Sequence, residues 1–427
     1  MLFNRSILAL TVLALGSTTA SMLGHPRVYE ADLFSSVNSE IIDDHYIVVF
    51  KDHVSPDAQH FRNHFSWLTN FITLANNQGG SEELNSIKHI YEHSLIGYAG
   101  RFQKEVLDHI RKSPDVAYVE KDSIVYANEV EKGAPWGLAR ISHREPLSFG
   151  NFGTYVYNPD GGEGVTAYVV DTGINTKHVD FESRASWGKT FAQDEIGDED
   201  GNGHGTHVAG TIAGKRYGVA KKAKVVAVKV LGANGSGSTS GVISGIDFTV
   251  RAHKDEAAQA KRDGKNFKGS VANMSLGGGR SRSLDLTVDA AVKGGVFYAV
   301  AAGNENHDAC QSSPAASELA LTVGASTIAD ERAWFSNYGK CTDVFAPGKD
   351  ILSAWIGSKF ATNVISGTSM ATPHVAGLAA YFLSLNNSTL TPLELKKLIL
   401  EKSIKNALED LPADTPNLLI YNHPKDF

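Results

Sequence analysis

The chain has 427 residues, of which 42% are hydrophobic and 20% charged, a balance typical of folded proteins with a large core and not of disordered or collagen-like chains. Forty basic residues stand against 47 acidic ones, so the net charge is −7 and no broad basic surface is expected to bind nucleic acid. Only two cysteines are present, which excludes a disulfide-dense scaffold. The length predicts two or three domains.

Residues 1–20 are typical of a secretory signal peptide. Arg5 precedes the apolar run Ile7–Leu15, and the small residues Thr18–Ala20 suit a cleavage site. Because a membrane-spanning helix needs about 20 apolar residues, we expect no membrane association after signal removal. The predicted location is the secretory pathway, with the vacuole or the cell exterior as destination. A buried N-terminal helix is the alternative interpretation.

The next region, about 44–127, has a mixed pattern that predicts a small α+β domain. Its predicted strands and helix are His45–Phe50, a strand pair within Ile87–Tyr98, the helix Glu105–Arg111, and Val116–Val125. The polar segment Ala127–Pro135 that follows ends in Gly-Ala-Pro and predicts an exposed linker that a protease could cut.

Beyond the linker, short apolar runs alternate with helical patterns. Such alternation predicts an α/β fold, a doubly wound and mostly parallel sheet with helices on both faces. The predicted strands are Val165–Val170, Val225–Leu231, Val271–Leu276, Val296–Ala302 and Leu321–Ala325, and the predicted helices include His207–Ala213, Val242–Ala252 and Leu284–Val292. Ligands of such folds bind at the carboxyl ends of the strands.

Three segments place chemical groups where this sheet would hold a ligand. Asp171 follows a predicted strand, His207 lies in the glycine-flanked start of a helix, and Ser369 just precedes another helix. Taken alone, each is explained as a turn, packing or capping residue. Together they supply a carboxylate, a base and a nucleophile. His204 and His374 are interpreted as structural.

The order of these groups along the chain separates two classes of hydrolase. The order Asp, His, Ser is that of subtilisin, whereas α/β-hydrolases place the serine first. The segment Gly367-Thr368-Ser369-Met370-Ala371 also ends in alanine, so it is not a G-x-S-x-G elbow. A lipase or esterase is therefore disfavoured.

Longer motifs around these groups resemble the subtilisin family of serine proteases, in its proteinase K branch and close to the fungal cerevisin-type vacuolar enzymes. The motifs are Asp171-Thr172-Gly173, Gly203-His204-Gly205-Thr206-His207, Ser275-Leu276-Gly277-Gly278-Gly279, Ala301-Ala302-Gly303-Asn304 and Gly367-Thr368-Ser369-Met370-Ala371-Thr372-Pro373-His374. The similarity runs from about Ala134 to the C-terminus. The fold that the resemblance implies agrees with the predicted parallel sheet.

The resemblance implies a serine endopeptidase that needs no cofactor for catalysis. Ser369 would attack the scissile carbonyl, His207 would take its proton, and Asp171 would orient the imidazole. Asn304 and the Ser369 backbone N–H would stabilise the oxyanion. A catalytically inert binding or inhibitory protein that keeps the protease fold is the alternative, against which the intact triad and Asn304 argue.

The resemblance also implies how a peptide substrate is held. Ser275, Leu276, Gly277, Gly278, Ala301, Ala302 and Gly303 would form the walls of the primary specificity pocket. The rim that begins at Leu231 and Gly232 would pair with an extended peptide by strand addition. Because these wall segments carry no acidic residue, we expect a broad preference for apolar or aromatic side chains, and cleavage at dibasic sites is disfavoured.

By the same resemblance, residues 21–133 form a propeptide whose part at about 44–127 assists folding and inhibits the enzyme, and residues 134–427 form the peptidase. A permanently attached accessory domain is the alternative for the N-terminal region. The expected partners are peptide and protein substrates and the chain's own propeptide, and the mature enzyme is expected to be a monomer.

The remaining expectations concern covalent and metal features. A disulfide between Cys310 and Cys341 is favoured over two free thiols. Asp343 matches a family residue that holds a structural calcium ion. Among the N-glycosylation motifs, those at Asn386 and Asn387 are the better glycan candidates, because Asn273 lies in a predicted buried strand and Asn234 lies on the rim of the cleft.

Overall fold

The computed structural model describes residues 29–35, 41–78, 84–93, 95–123, 129–192, 197–386 and 388–424. The chain divides into two compact units, residues 1–124 and 125–427. The predicted signal peptide and Asn387 lie outside the described residues. Within the described ranges, no helix has both the length and the apolarity needed to cross a bilayer.

The first unit is the predicted α+β domain. Its five-stranded sheet has the order β1-β5-β2-β4-β3. Its elements are β1 (Asp32–Phe34), β2 (Ile41–Phe50), α1 (Gln59–Gln78), β3 (Ser86–Glu92), β4 (Ile96–Arg101), α2 (Lys104–Arg111) and β5 (Val116–Ser123). The helix α1 was not predicted, although Phe61, Phe65, Leu68 and Ile72 repeat at helical spacing and pack on the core of this unit.

The second unit contains the predicted α/β sheet. Its elements up to the middle of the chain are β6 (Glu129–Lys132), α3 (Trp136–Ile141), β7 (Thr154–Tyr157), β8 (Val165–Asp171), β9 (Ala185–Thr190), α4 (His204–Ala213), β10 (Lys224–Lys229), α5 (Thr239–Asp263), β11 (Gly269–Met274), β12 (Gly278–Gly279) and α6 (Arg282–Lys293). The remaining elements are β13 (Val296–Ala301), β14 (Ser312–Ser313), β15 (Leu321–Ser326), β16 (Val344–Pro347), β17 (Ile351–Ala354), β18 (Thr362–Ile365), α7 (Thr368–Leu385), α8 (Pro392–Lys402), β19 (Ile404–Lys405) and β20 (Leu418–Leu419).

The large sheet has nine strands in the order β19-β20-β16-β15-β13-β11-β8-β10-β9. Apart from the antiparallel pair of β19 and β20, its strands run parallel. All residues of β8 and β13 are buried, as expected for strands covered on both faces. One core packs against α4 and α7, and a second packs against α5 and α6 on the other face. The doubly wound fold is therefore confirmed.

The sheet order decides which segments meet. The strands β13, β11, β8 and β10 are neighbours, and their carboxyl ends lie at one edge because they run parallel. Asp171 ends β8, Ser275 follows β11, and Asn304 follows β13. Three of the predicted site segments thus leave the sheet at adjacent positions.

The predicted linker differs from the structure. Its central residues form β6, which pairs antiparallel with β7 in the second unit. Glu131 of β6 forms an ion pair of 2.8 Å with Lys221, whose ammonium lies over the rings of Tyr155 and Tyr157. The polar composition suggested a linker, but these residues form a polar strand, and one of its charged side chains, Glu131, forms a partly buried ion pair.

Candidate active site

A carboxylate and an imidazole form the first part of the site. Asp171 is fully buried at the end of β8, and its Oδ1 accepts a hydrogen bond from the Thr172 backbone N–H. The same oxygen lies 2.8 Å from Nδ1 of His204, the first residue of α4. His204 is 24% exposed and lines a cavity of about 440 Å³ at the carboxyl edge of the sheet. The His204 ring of this carboxylate–imidazole pair is therefore accessible to a substrate in the cavity.

The predicted pairing of His207 with Asp171 is wrong. His207 is fully buried one turn further along α4, and its Nε2 lies 2.9 Å from the backbone oxygen of Ile351 in β17. Burial lowers the pKa of His207 to about 4, so the ring is neutral at ordinary pH. His204 at the start of α4 lies beside the end of β8, whereas His207, one turn later, lies in the core. His204, interpreted from the sequence as structural, holds the position next to Asp171.

A second buried carboxylate, which the sequence interpretation missed, holds the helix start in place. Asp200 Oδ1 accepts hydrogen bonds from Thr172 Oγ1 and from the backbone N–H groups of Asn202 and Gly203. Its Oδ2 accepts from the backbone and the hydroxyl of Thr206. Asp200 thereby joins the loop after β8 to the first turn of α4, and it positions the imidazole without touching it.

The predicted nucleophile is held by the strand next to Asp171. Ser369 is the second residue of α7, is half-buried, and donates from Oγ to the backbone oxygen of Ser275 at 3.2 Å. Ser275 Oγ donates in return to the Ser369 backbone oxygen at 2.7 Å and accepts from the buried Asn273 side chain. These reciprocal bonds fix the first turn of α7 against the end of β11.

The predicted oxyanion residue has an orientation that suits the role. Asn304 Oδ1 accepts hydrogen bonds from the backbone and the hydroxyl of Thr368, which leaves its Nδ2 donor for a ligand. A side-chain carbon built on Gly367 would lie 3.5 Å from the Ser369 backbone nitrogen and 3.7 Å from Asn304 Nδ2. Two N–H donors therefore border the same small space beside Ser369, the requirement for stabilising an oxyanion.

Comparison with known protein families shows the family of the chain. Residues 162–418 match the Subtilase family, and residues 45–128 match the Peptidase inhibitor I9 family. The first match spans more than half of the chain. The chain belongs to the subtilase family.

Individual relatives of this subtilase agree with the family match. "Subtilisin-like serine protease Pen c 2" of Penicillium citrinum is 57% identical over 420 residues, which cover 92% of this chain and 90% of that protein. "Alkaline protease 2" of Aspergillus fumigatus is 55% identical and covers 92% of this chain and 83% of that protein. A crystal structure of a cold adapted subtilisin-like serine proteinase, 48% identical with a TM-score of 0.61, covers 68% of this chain and 99% of that one. The subtilase is therefore a serine protease with an N-terminal inhibitor domain.

Most of the predicted pocket residues line two adjoining cavities of the subtilase. Six of them line a cavity of about 310 Å³ beside Ser369 and Asn304, namely Leu276, Gly277, Gly278, Ala301, Ala302 and Gly303. Ser275 and Leu231 line the neighbouring cavity of His204, and the two cavities share the wall 276–279. Gly232 lines neither cavity, because it is buried and closes the rim turn through hydrogen bonds with Gly235 and Ser236.

The smaller cavity also includes an acidic residue, which lies outside the predicted wall segments. Glu305, the residue after the predicted motif that ends at Asn304, lines the smaller cavity together with His307. Its Oε2 accepts a hydrogen bond from the side chain of Asn337, a buried residue on a distant loop. The sequence interpretation considered only the wall segments, and the carboxylate comes from the loop that follows one of them.

The two cysteines of the subtilase form the predicted disulfide, Cys310–Cys341. It links the loop that carries Glu305 and His307 to the loop that carries Asn337 and Tyr338. Backbone hydrogen bonds from Ala309 to Tyr338 and from Tyr338 to His307 lie beside it. The outer wall of the smaller cavity is therefore cross-linked.

The surroundings of Asp343 do not fit the predicted calcium ion. Its Oδ2 lies 3.0 Å from the Lys396 ammonium and accepts a hydrogen bond from the Thr322 backbone. Calcium requires six to eight oxygen ligands, and among the described residues no group of three or more His, Cys, Asp or Glu could hold a metal ion. Asp343, just before β16, instead forms a structural ion pair with Lys396 of α8.

The glycosylation motifs differ in accessibility. Asn273 is fully buried and bonded to Ser275, so a glycan could not be attached to it after folding. Asn234 is exposed on the rim turn, and Asn386 is half-buried at the end of α7. The motif at Asn234 is therefore as accessible as the preferred one at Asn386.

The environment of His204 predicts a pH dependence. Burial lowers the pKa of His204, but the charge of Asp171 and the hydrogen bond to it, with a smaller contribution from Asp200, raise the pKa above its ordinary value of 6.5. Only the neutral imidazole can accept a proton, so kcat/KM is expected to fall as the pH drops through this raised pKa. The midpoint of the acidic limb, measured with a peptide substrate, should lie above pH 6.5.

In Asp171→Asn the carboxylate charge is lost, and the midpoint of the remaining activity should move below pH 6.5. Asp200→Asn serves as the matched control, because the charge of Asp200 contributes less than that of Asp171 to the raised pKa of His204 and its loss should give a smaller downward shift. An unchanged midpoint in Asp171→Asn would contradict the assignment of His204 as the titrating base.

Proposed function

We propose that this subtilase hydrolyses peptide bonds through an acyl-enzyme on Ser369, with His204 as the base and Asp171 as its orienting carboxylate. The observation that carries the proposal is the hydrogen bond between Asp171 and His204, which lines the cavity adjoining the one that Ser369 lines. Asp171 accepts a hydrogen bond from the N–H at Nδ1 of His204. In the neutral ring the Nε2 atom therefore carries no proton. That atom takes the Ser369 proton during attack and returns it to the leaving amine.

In each half-reaction the carbonyl oxygen of the substrate becomes negatively charged. The Asn304 side-chain N–H and the Ser369 backbone N–H border the space in which we place this oxygen. The acyl group on Ser369 is then transferred to a water molecule, whose proton passes to His204. Asp171 stabilises the imidazolium at both stages, and no metal or cofactor takes part.

A prediction for Asn304→Ala follows from its orientation. Loss of the Nδ2 donor should lower kcat about 10²- to 10³-fold while KM scarcely changes, since the donor acts on the charge of the transition state. Steady-state kinetics on a chromogenic peptide would measure both constants.

The matched control is Asn304→Asp, which keeps an oxygen near Thr368 but lacks the N–H donor. Its kcat should fall at least as far as that of the alanine variant. A rise in KM with unchanged kcat in both variants would instead make Asn304 a substrate-binding residue.

For specificity, we propose that the smaller cavity accepts the side chain before the scissile bond. Its walls are glycine, alanine and leucine, which leave room for a large apolar or aromatic group. Glu305 adds a carboxylate at this cavity, so a long cationic side chain is accepted as well. The rim at Leu231 would hold the preceding residues of the peptide in an extended conformation.

The N-terminal unit serves as the inhibitor of the enzyme, and we propose that it occupies the cleft until the enzyme cleaves the chain. The proposed propeptide is residues 21–133 and the proposed peptidase 134–427. The family matches end and begin at 128 and 162, on either side of this limit. The alternative of an inert protein loses support, because each of the groups that catalysis needs is present.

We further propose that the enzyme travels the secretory pathway to the vacuole or the cell exterior and acts as a monomer. The apolar segment after Arg5 and the disulfide, which forms in oxidising compartments, support this route. A glycan on Asn386 or Asn387 would be added on the same route.

The proposed function is tested by incubating the purified chain with denatured casein, with and without a serine-directed phosphonate. Casein should be degraded, the phosphonate should stop degradation, and mass spectrometry should find the label on Ser369. Absence of degradation after removal of the N-terminal unit would support the inert alternative.

A further inference from the structure

A pair of titratable side chains lines the cavity beside Ser369. Glu305 Oε2 and His307 Nε2 are 3.8 Å apart, and the Glu305 side chain is 58% exposed and that of His307 37%. The other residues that line this cavity are small, apolar or uncharged polar residues of the described chain. Charge at the cavity therefore depends on these two groups.

The loop that carries the pair is held by one buried side chain. Asn337 Oδ1 accepts from the backbone N–H groups of Glu305 and His307, and its Nδ2 donates to Glu305 Oε2 and to the Ala302 backbone. A side chain on Gly303 would collide with Asn337 and with the Glu305 carboxylate. The hydrogen bond from Asn337 thus orients the exposed Glu305 carboxylate.

The His307 ring is also oriented. Its Nδ1 lies 3.0 Å from the Asp308 backbone oxygen, so Nδ1 carries a proton and donates to it. In the neutral ring, Nε2 then carries no proton, and the ring has no positive charge with which to attract the carboxylate. When the ring is protonated, its positive charge lies beside the Glu305 carboxylate, with Nε2 3.8 Å from Oε2.

The charged groups on the surrounding loops are engaged elsewhere. Asp308 accepts from the Cys310 backbone through its carboxylate. Arg332, from the loop that packs against this one, donates to Asn306 and to the Ser336 backbone and lies over the ring of Tyr338. Neither lines the cavity, and neither forms an ion pair with Glu305 or His307 among the described residues.

We propose that His307 determines the charge preference of the primary specificity pocket. With His307 neutral, the Glu305 carboxylate attracts a cationic side chain before the scissile bond. With His307 protonated, the imidazolium cancels this charge, and the pocket favours uncharged side chains. The inference rests on the proposed function, since it takes this cavity as the pocket for that residue.

The test compares two peptides that differ only in lysine or glutamine before the scissile bond. The kcat/KM of each is measured with processed enzyme at about pH 5.5 and about pH 8, at one low ionic strength. The ratio of the two values at each pH cancels the ionisation of His204, which both substrates share. The lysine-to-glutamine ratio should be about three- to fivefold higher at the higher pH, the effect of one partly exposed charge.

Three variants separate the roles of the pair. In His307→Gln the ratio should stay high at both pH values, and in His307→Lys, which keeps a positive charge, it should stay low at both. In Glu305→Gln the ratio should be lower than in the wild type at both pH values and should still fall toward low pH, because His307 remains and its imidazolium repels lysine. An unchanged ratio in the wild-type enzyme, or the wild-type pH dependence in His307→Gln, would overturn the proposal.

Failure of this inference is distinguishable from failure of the proposed function. If neither peptide is cleaved and the phosphonate leaves Ser369 unlabelled, the assignment of the active site itself is wrong. If both peptides are cleaved at a ratio that does not respond to pH, only the role of His307 is wrong.

Discussion

His204→Ala should lower kcat on the order of 10⁶-fold, the loss typical of removing the base from such a triad. Without the imidazole, nothing takes the Ser369 proton, and Asp171 is left as a buried carboxylate with its Thr172 bond. The variant should be released from its N-terminal unit by an unrelated protease before kcat is measured on a chromogenic peptide. Its folded state should persist, because the ring is partly exposed at the helix start.

The matched control is His207→Asn, on the same helix and one turn away. Its activity should remain within about tenfold of the wild type, while its free energy of unfolding should fall by about 1–3 kcal/mol, because the Ile351 carbonyl loses its buried partner. Calorimetry would measure this loss. Full activity of His204→Ala beside an inactive but stable His207→Asn would return the role of base to His207.

Ser369→Ala should give a folded chain that stays at full length when it is made in a host without other proteases. Release of the N-terminal unit needs the same nucleophile as cleavage of any substrate, and kcat should fall by a factor similar to that for His204→Ala. Gel electrophoresis and N-terminal sequencing would follow the processing. Circular dichroism would check that the fold is kept.

The control for this variant is Ser366→Ala, a serine three residues earlier. Ser366 is exposed and bonds to Asp350, outside the catalytic cavities. Its variant should be processed like the wild type. Normal processing of Ser369→Ala in the same host would show that another protease cuts the chain.

The central fold was predictable because parallel strands that are buried on both faces appear in the sequence as continuous apolar runs, as in β13 with six buried residues. The helix α5 was recognised only over its apolar half. Residues 254–263 extend this helix by polar turns that do not pack on the core, so they show no hydrophobic periodicity. Hydrophobic periodicity reports burial, so it finds the part of an element that packs.

The choice between His204 and His207 lay beyond local pattern. Both are histidines within a glycine-rich helix start, and the spacing to Asp171 along the chain is similar for each. What separates them is the arrangement of α4 against β8 and β17, a contact between distant segments. Glu305 was missed for a similar reason, since Asn337, 32 residues away, orients its carboxylate.

The ion pair between Glu131 and Lys221 bears on where a manufactured form of the enzyme should begin. Both side chains are mostly buried, 19% and 10% exposed, and burial lowers the pKa of Lys221 while Glu131 opposes that change. A protein started at Ala134 lacks the carboxylate and leaves the Lys221 ammonium over two tyrosine rings without its acidic partner, at a cost of up to about 3 kcal/mol. A protein started at Glu129 keeps the whole strand β6. The five residues 129–133, which lie outside the proposed peptidase 134–427, therefore stabilise a protein that contains them.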